Sequence, residues 1–415
     1  MSENENKAVT SFFDRPNVQK DIIPVGGGIP FGVESVTNSE VGIGGAYGAW
    51  GASYNNEQLP AFVSHRLGET LPDSDVMNLS ELGFVSRHHI QDLSDEEHLE
   101  LEVEVGARIL KEAARATGWD PSEVDGVMIG MSGPVSLDFV EKISRRAGIP
   151  ETSLTVSVHK ACDGSMGALH LALNPKLSQP GQVNIAERLA GKKVLVGGIE
   201  GLSRFTIHAK DKNALQLFGN GAGVIGIIPG ETMKLMVGKS FENYDQEGLL
   251  QVRMYYPHSK GITPGKSLLD VYQDAPNHLR VAGMMHEPAD GLPIVMAGLM
   301  GMVKLFVRSG VQVVSEVFKE YSALMEKVGT PEHKIDMGIV HHANYKINLL
   351  KAKQLLKEGI EFPMPWLLND FGNVSAASCM IAFLRQLPHI KPGDHILFDG
   401  FGAGTYYDVM AVSMG

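Results

Sequence analysis

At 415 residues the chain is long enough for several cores or for one large layered body. Acidic residues outnumber basic ones by 48 to 36, giving a formal charge of −12, and no basic stripe with interleaved aromatics occurs, which excludes a general nucleic-acid binder. Two cysteines build no disulfide framework.

The N-terminal run MSENENKAVT is polar and acidic, unlike a signal peptide. The first clear element is an amphipathic helix in which Leu101, Val105 and Ile109 recur every four residues. It leads into GWDPSEVDGVMIGM, where Val124-Asp125 opens an apolar strand. A second strand, Leu154 to Val158, runs into Cys162, and a small-residue helix, Gly164 to Leu173, starts directly after it. That order aims the helix's free N–H groups and positive dipole end at the sulfur. Such a position favours thiolate and is expected to lower the cysteine pKa from about 8.5 to roughly 3.5–7.5. The residues alone leave two readings of Cys162: an activated nucleophile, or a buried inert thiol. A nucleophile must stay reduced, which points to the cytoplasm.

Further along, GKKVLVGGIEG (from Gly191) is a buried strand ending in a glycine turn, and FGNGAG spans Phe218 to Gly223. Turn-rich YYPHSKGITPGKS and MMHEPADGLP fill the stretch before Leu292, as a lid, a dimer arm or a plain loop. Leu292 to Val307 is apolar but broken by Gly298, Gly301 and Lys304, so it predicts a buried helix and no membrane span. Val314, Val317, Tyr321, Leu324 and Val328 then give a second amphipathic helix. Ile335-Asp336 opens the strand Met337 to Val340, which ends at His341 and His342. Cys379 lies in the apolar helical pattern SAASCMIAFL and is predicted to be core. GDHILFDGFGA, from Gly393, is the last buried strand.

These elements repeat. GWDPSEVDGVMIGM aligns without a gap with GTPEHKIDMGIVHH, and GKKVLVGGIEG aligns with GDHILFDGFGA. Cys162 lies 37 residues after Asp125, and Asn373 lies 37 residues after Asp336, each at the mouth of a small-residue helix. Two related halves of alternating strands and helices predict α/β layering. Cys162, His341 and Asn373 then stand at strand ends, where α/β sheets form their ligand sites. The competing reading makes the histidines surface or capping residues and Asn373 a helix cap. Several other signals fail. VGKS and PGKS lack the phosphate-loop glycine, since Met233 and Lys260 stand at that position, and the His88-His89 and His341-His342 pairs have a poor metal spacing.

KACDGSMGAL, FGNGAG, HHAN (His341 to Asn344), FGNVSAAS (Phe371 to Ser378) and DGFGAG (Asp399 to Gly404) occur in this order. The chain therefore resembles the thiolase superfamily, most closely the beta-ketoacyl-acyl-carrier-protein synthase III type, from roughly Gly42 to the C-terminus. The resemblance implies a duplicated thiolase-like α/β fold, layered α-β-α-β-α in two pseudo-symmetric halves, usually a homodimer. It implies that Cys162 accepts the acyl group, with His341 and Asn373 completing a triad. The N–H of Cys162 and Gly404 form the oxyanion hole, and Lys346, Lys212 and Arg87 serve carrier or CoA binding. It implies an acyltransferase that condenses a Cys-bound acyl group with a malonyl thioester to a 3-oxoacyl thioester, as in fatty acid biosynthesis initiation. Substrates would be acyl-CoA or acyl-carrier protein, with no metal or redox cofactor, no nucleic acid and no membrane. The same triad also serves acyl transfer or non-decarboxylative condensation in secondary metabolism, and a non-catalytic acyl-thioester binding subunit would keep the fold.

The chain departs from the family at LGFVSRHH, Leu82 to His89, where only Arg87 keeps a basic role and the upstream aromatic is missing. Val340 replaces the usual proline before His341. The expected organisation is an N-terminal extension at 1–40, a first half at 41–230 carrying the cysteine, a linker or insert at 231–291, and a second half at 292–415 carrying His341 and Asn373.

Overall fold

The computed structural model describes residues 21–90, 93–132, 135–178, 181–203, 211–242, 270–282, 299–403 and 406–415. Both turn-rich stretches of the 231–291 region lie outside the described residues. A mixed sheet holds nine strands: β1 (Asp21–Val25), β2 (Ile29–Asn38), β3 (Ile43–Trp50), β6 (Gly126–Met131), β7 (Leu154–His159), β8 (Val194–Glu200), β9 (Gly221–Ile227), β11 (Asp270–Ala275) and β12 (His278–Ala282). Their order is β1-β2-β3-β9-β8-β6-β7-β12-β11. A second sheet has the order β10-β15-β14-β13, from β10 (Met233–Glu242), β13 (Met337–Val340), β14 (His395–Gly402) and β15 (Tyr406–Met414). A small ribbon pairs β4 (Ala52–Asn55) with β5 (Ser86–His89).

Helices cover and separate the sheets. On the outer face of the first lie α2 (Asp95–Ala116) and α3 (Phe139–Ala147), whose apolar stripes share a core with β3, β6 and β8. Ser94 starts α2 with a capping box, its hydroxyl accepting from Glu97 N–H while the Glu97 carboxylate accepts from Ser94 N–H. Between the sheets lie α4 (Gly164–Leu173) and α9 (Ser378–Gln386). Every residue of α4 is buried, as its mostly small and apolar sequence leads one to expect; His170, its one large polar residue, is paired with Asp408. Cys379, in α9, is core as expected. Outside the second sheet lie α7 (Leu299–Val328) and α8 (Tyr345–Lys357), packed through Val314, Val317, Tyr321 and Ile347. Two shorter helices, α1 (Leu59–Leu67) and α6 (Lys212–Leu217), pack beside the ribbon. The layers run α-β-α-β-α, as the resemblance implies.

The duplication is structural. The run β3-β9-β8-β6 of the first sheet has its counterpart in β10-β15-β14-β13 of the second. Asp125 and Asp336 make the same clasp: each main-chain N–H donates to the carbonyl of Lys193 or His395, and each carboxylate accepts that residue's N–H. The clasp fixes the same parallel register, Gly126 opposite Val194 and Met337 opposite Ile396. Two boundaries differ from expectation. Residues 29–38 form a full strand of the first sheet, because β2 pairs with β3 from Phe31 to Asn38 and with β1 from Ile29 to Val33. The 231–291 stretch is also not one unit: β10 belongs to the second sheet, whereas the hairpin β11–β12 extends the first along the edge of β7.

Candidate active site

Two matching turns meet between the sheets. Ala161–Asp163 is a short 3-10 turn feeding α4, and Ser375–Ala377 is one feeding α9. Ala161 (φ +48°) and Ser375 (φ +45°) are the two non-glycine residues with left-handed backbone among the described residues. Each such residue costs on the order of 1–3 kcal/mol and persists only where its surroundings hold it. The repeat therefore pairs Ala161 with Ser375 and Cys162 with Ala376, so Asn373 stands three residues ahead of the position that corresponds to the cysteine. The turns touch closely enough that a Cβ on Gly164 would stand 3.1 Å from the Ala376 Cβ. A Cβ on Gly402, at the end of β14, would lie 2.9 Å from the Cys162 nitrogen, so the glycine lets the last strand close over the nucleophile turn.

Cys162 keeps partial exposure. The protein packed around its thiol pushes the pKa up to about 12, opposite in direction to the sequence expectation. Desolvation is the main cause. The Ser375 hydroxyl and the Ala403 N–H favour thiolate, while the Glu200 and Asp163 carboxylates oppose it. Ser375 Oγ lies 3.2 Å from Cys162 Sγ.

Asn373 is buried, and its Oδ1 accepts the Ser375 N–H at 2.9 Å. Its main chain bridges to Phe218, joining FGNVSAAS to FGNGAG. His341 follows β13 directly, and its N–H donates to the Asp399 carbonyl. Its Nδ1 bonds the hydroxyl of Ser378, the first residue of α9, and its ring stands edge-on to Phe401 at 5.0 Å. Neither His341 Nε2 nor Asn373 Nδ2 makes a hydrogen bond among the described residues. His342 differs: its Nδ1–H donates to the Val340 carbonyl and its Nε2 accepts the Leu367 N–H. One short segment, Asn373 to Ser378, thus touches Cys162 and His341 and contains Asn373.

Burial, aided by His342 and Lys351, holds the His341 pKa down at about 3, so the ring is neutral at neutral pH. Burial also holds His342 and His89 down at about 3. In each case the unfolded chain takes up a proton near pH 6.5 that the folded protein refuses. Stability is therefore expected to fall as pH drops from 6.5 toward 3, by at most about 4 kcal/mol per pH unit for the three together. Urea midpoints measured from pH 7.5 to 5 check this, and a midpoint that is flat or rises on acidification would contradict it.

A buried charge cluster anchors the nucleophile turn. Lys160 Nζ lies 2.7 Å from Asp408 Oδ2, and the second Asp408 oxygen lies 2.7 Å from His170 Nδ1. Burial alone would raise the Asp408 pKa, but Lys160 and His170 pull it well below the usual carboxylate range. Asp163, desolvated and facing the Asp408 charge, is pushed far above the usual carboxylate range.

Residues 325–414 match the family described as 3-Oxoacyl-[acyl-carrier-protein (ACP)] synthase III C terminal. Over 373 residues the chain is 26% identical to the Beta-ketoacyl-[acyl-carrier-protein] synthase III of Prochlorococcus marinus (strain MIT 9313), spanning 88% of this chain and 95% of that protein. The chain is thus similar to synthase III proteins over most of its length. Solved structures show the same fold. The 3-oxoacyl-[acyl-carrier-protein] synthase III of Aquifex aeolicus VF5 superposes with TM-score 0.57 at 19% identity, covering 95% of this chain and 100% of that one. The corresponding synthase III of Pseudomonas aeruginosa PAO1 gives TM-score 0.58 at 19% identity, covering 92% and 98%.

The chain places its basic residues unequally. Arg87 is wholly buried, donating to the Gln216 carbonyl and to Asn56 Oδ1, so its guanidinium braces α6 against the ribbon and presents no charge at the surface. Lys212 and Lys346 are exposed, and each pairs with an acid of the segment before β5, Asp75 and Glu81 respectively. Gly404 lies outside the described residues; its neighbour Ala403 is the residue whose N–H reaches the sulfur. Sequence reasoning missed Ser132, Glu200 and Ser375. Their one sequence signal is position: Glu200 and Ser375 stand inside quoted motifs, and Ser132 directly follows β6.

Proposed function

We propose that the protein is a condensing acyltransferase whose acyl acceptor is Cys162. The thiolate attacks an acyl thioester of CoA or an acyl-carrier protein, the donor's C–S bond breaks, and an acyl-enzyme remains. A malonyl thioester then loses carbon dioxide, and the electron pair of the broken C–C bond delocalises onto the thioester oxygen. The neutral His341, with its proton on Nε2, and the Asn373 amide donate to that oxygen. The enolate carbon attacks the acyl carbonyl and expels Cys162 as thiolate, leaving a 3-oxoacyl thioester.

The observation that carries this reading is the pair His341 Nε2 and Asn373 Nδ2, which make no hydrogen bond among the described residues and are held beside the segment that touches Cys162. Ser378 donating to His341 Nδ1 would keep the proton on Nε2. The synthase III names of the sequence relatives support the same chemistry. Lys212 and Lys346, both exposed, are the proposed contacts for donor phosphates or an acidic carrier. Intact-protein mass after incubation with a panel of acyl-CoAs and acyl-carrier proteins tests the first step. The wild type should gain one acyl group and Cys162→Ala none. Acylation of Cys162→Ala, or of neither protein with any donor, would remove Cys162 from the mechanism.

A further inference from the structure

Among the described residues no base touches the Cys162 sulfur directly. His341 is held neutral, with a pKa of about 3, and burial raises the thiol itself. One continuous path does lead away from the sulfur. Cys162 Sγ lies 3.2 Å from Ser375 Oγ, which lies 2.7 Å from Ser132 Oγ, which lies 2.5 Å from Glu200 Oε1. Ser375, Ser132 and Glu200 are all buried, at 2%, 3% and 1% exposure, so bulk water is kept off these links. The same Glu200 oxygen accepts the Ser132 N–H at 2.6 Å and the Ala376 N–H at 3.2 Å, which fixes it at the join of the two halves.

The proton count fits. A thiol and two hydroxyls supply three protons for three contacts; turning the Ser375 hydroxyl from the sulfur, to which it donates, toward Ser132 points every one at the carboxylate. We infer that Ser375, Ser132 and Glu200 form a proton relay that makes the Cys162 thiolate. The S–H bond breaks as its proton passes to Ser375 Oγ; the Ser375 proton passes to Ser132 Oγ, and the Ser132 proton to Glu200 Oε1. Sulfur keeps the electron pair, Glu200 becomes the carboxylic acid, and the net charge of the buried site is unchanged. No charge has to enter from solvent, so desolvation opposes this step much less than simple ionisation. The strained backbone of Ser375 then has a task, since it aims that hydroxyl between Cys162 and Ser132. The inference rests on Cys162 being the acyl acceptor, and makes the other three positioning and proton-transfer residues for its activation.

The relay has a pH signature. Thiolate made at constant net charge gives a reaction rate independent of pH as long as the site as a whole neither gains nor loses a proton. Thiolate made by loss of a proton to solvent rises about tenfold per pH unit. Other ionisable groups bear on the site: Asp163 and Lys160 on the nucleophile turn, Asp408 on β15, His341 after β13, and Glu102 of α2, which meets the backbone at Gly201. His341, held at about 3, stays neutral from pH 6 to 9, so its charge does not change across that range.

The test is iodoacetamide alkylation of Cys162, read by peptide mass from pH 6 to 9, in the wild type, Glu200→Gln, Ser375→Ala and Ser132→Ala. The wild type should show a plateau. All three variants should react at least tenfold more slowly at pH 6 and rise about tenfold per unit. Through-space electrostatics predicts the reverse for Glu200→Gln, because removing a neighbouring negative charge makes the thiol more acidic and faster. A Glu200→Gln protein that reacts as fast as wild type or faster at pH 6, or a wild type without a plateau, overturns the relay. Should Glu200→Gln fail to fold, the two serine variants decide alone, with the Glu200 charge still in place. Alkylation needs no acyl donor, so a plateau together with failed acylation would remove the acyl-acceptor reading and leave the relay standing.

Discussion

His341→Ala and Asn373→Ala proteins are each expected to take an acyl group onto Cys162 and then fail to release it as condensed product. The two donors act on the oxygen of the decarboxylating thioester, after acylation is complete. Losing one preorganised donor of this kind typically costs about 2.7–4 kcal/mol of barrier, or roughly 10²–10³ in rate. The cut should fall on malonyl-dependent discharge, measured by following the acyl-enzyme mass with time, while acylation stays within about tenfold of wild type. The asymmetry follows from the site: Ser375 reaches the sulfur, whereas His341 Nε2 and Asn373 Nδ2 are unoccupied among the described residues. Equal loss of both steps would instead place the two residues in the activation of Cys162.

Lys160→Met should be the most destabilising single change near the site. It leaves the Asp408 carboxylate buried with its ammonium partner gone, and breaking a buried pair this way typically costs about 3–5 kcal/mol. His170 Nδ1 still lies 2.7 Å from the other Asp408 oxygen, so the carboxylate keeps one polar partner. The expected result is a urea midpoint well below wild type at pH 7.5. Because Lys160 directly precedes the Ala161–Asp163 turn, acylation should weaken with it. A loss under about 1 kcal/mol would show that the cluster is not a fixed ion pair.

Local patterns were legible in the sequence; positions that depend on chain paths were not. The α4 helix runs from Gly164 to Leu173 and β13 from Met337 to Val340, as read, because short apolar elements between glycine turns have little freedom in their ends. The Asp125 and Asp336 clasps make the duplication visible, since both halves need the same side chain at the same register. Matching Cys162 to Asn373 by equal spacing failed by three residues. In the first half the chain reaches its turn through α3 and β7; in the second it passes through α8 and a strandless segment, so equal length does not mean equal place. The hairpin β11–β12 joins a strand over 100 residues earlier, a pairing that no local signal encodes. Arg87 looked like a surface cation because charge is visible in a sequence and burial is not. Ser132 and Ser375 are ordinary residues until the fold brings them together across 243 positions.

The central claim is that a Cys162-bound acyl group is discharged by a decarboxylating malonyl thioester, and one measurement addresses it directly. The wild-type protein is acylated to completion, freed of donor, and given malonyl-acyl-carrier protein while intact mass and released carbon dioxide are followed together. The account predicts loss of the acyl mass matched one to one by carbon dioxide, with a 3-oxoacyl thioester as product. An acyl-enzyme that persists with malonyl thioester, or that discharges without releasing carbon dioxide, would contradict it and assign the site to acyl transfer or to non-decarboxylative condensation.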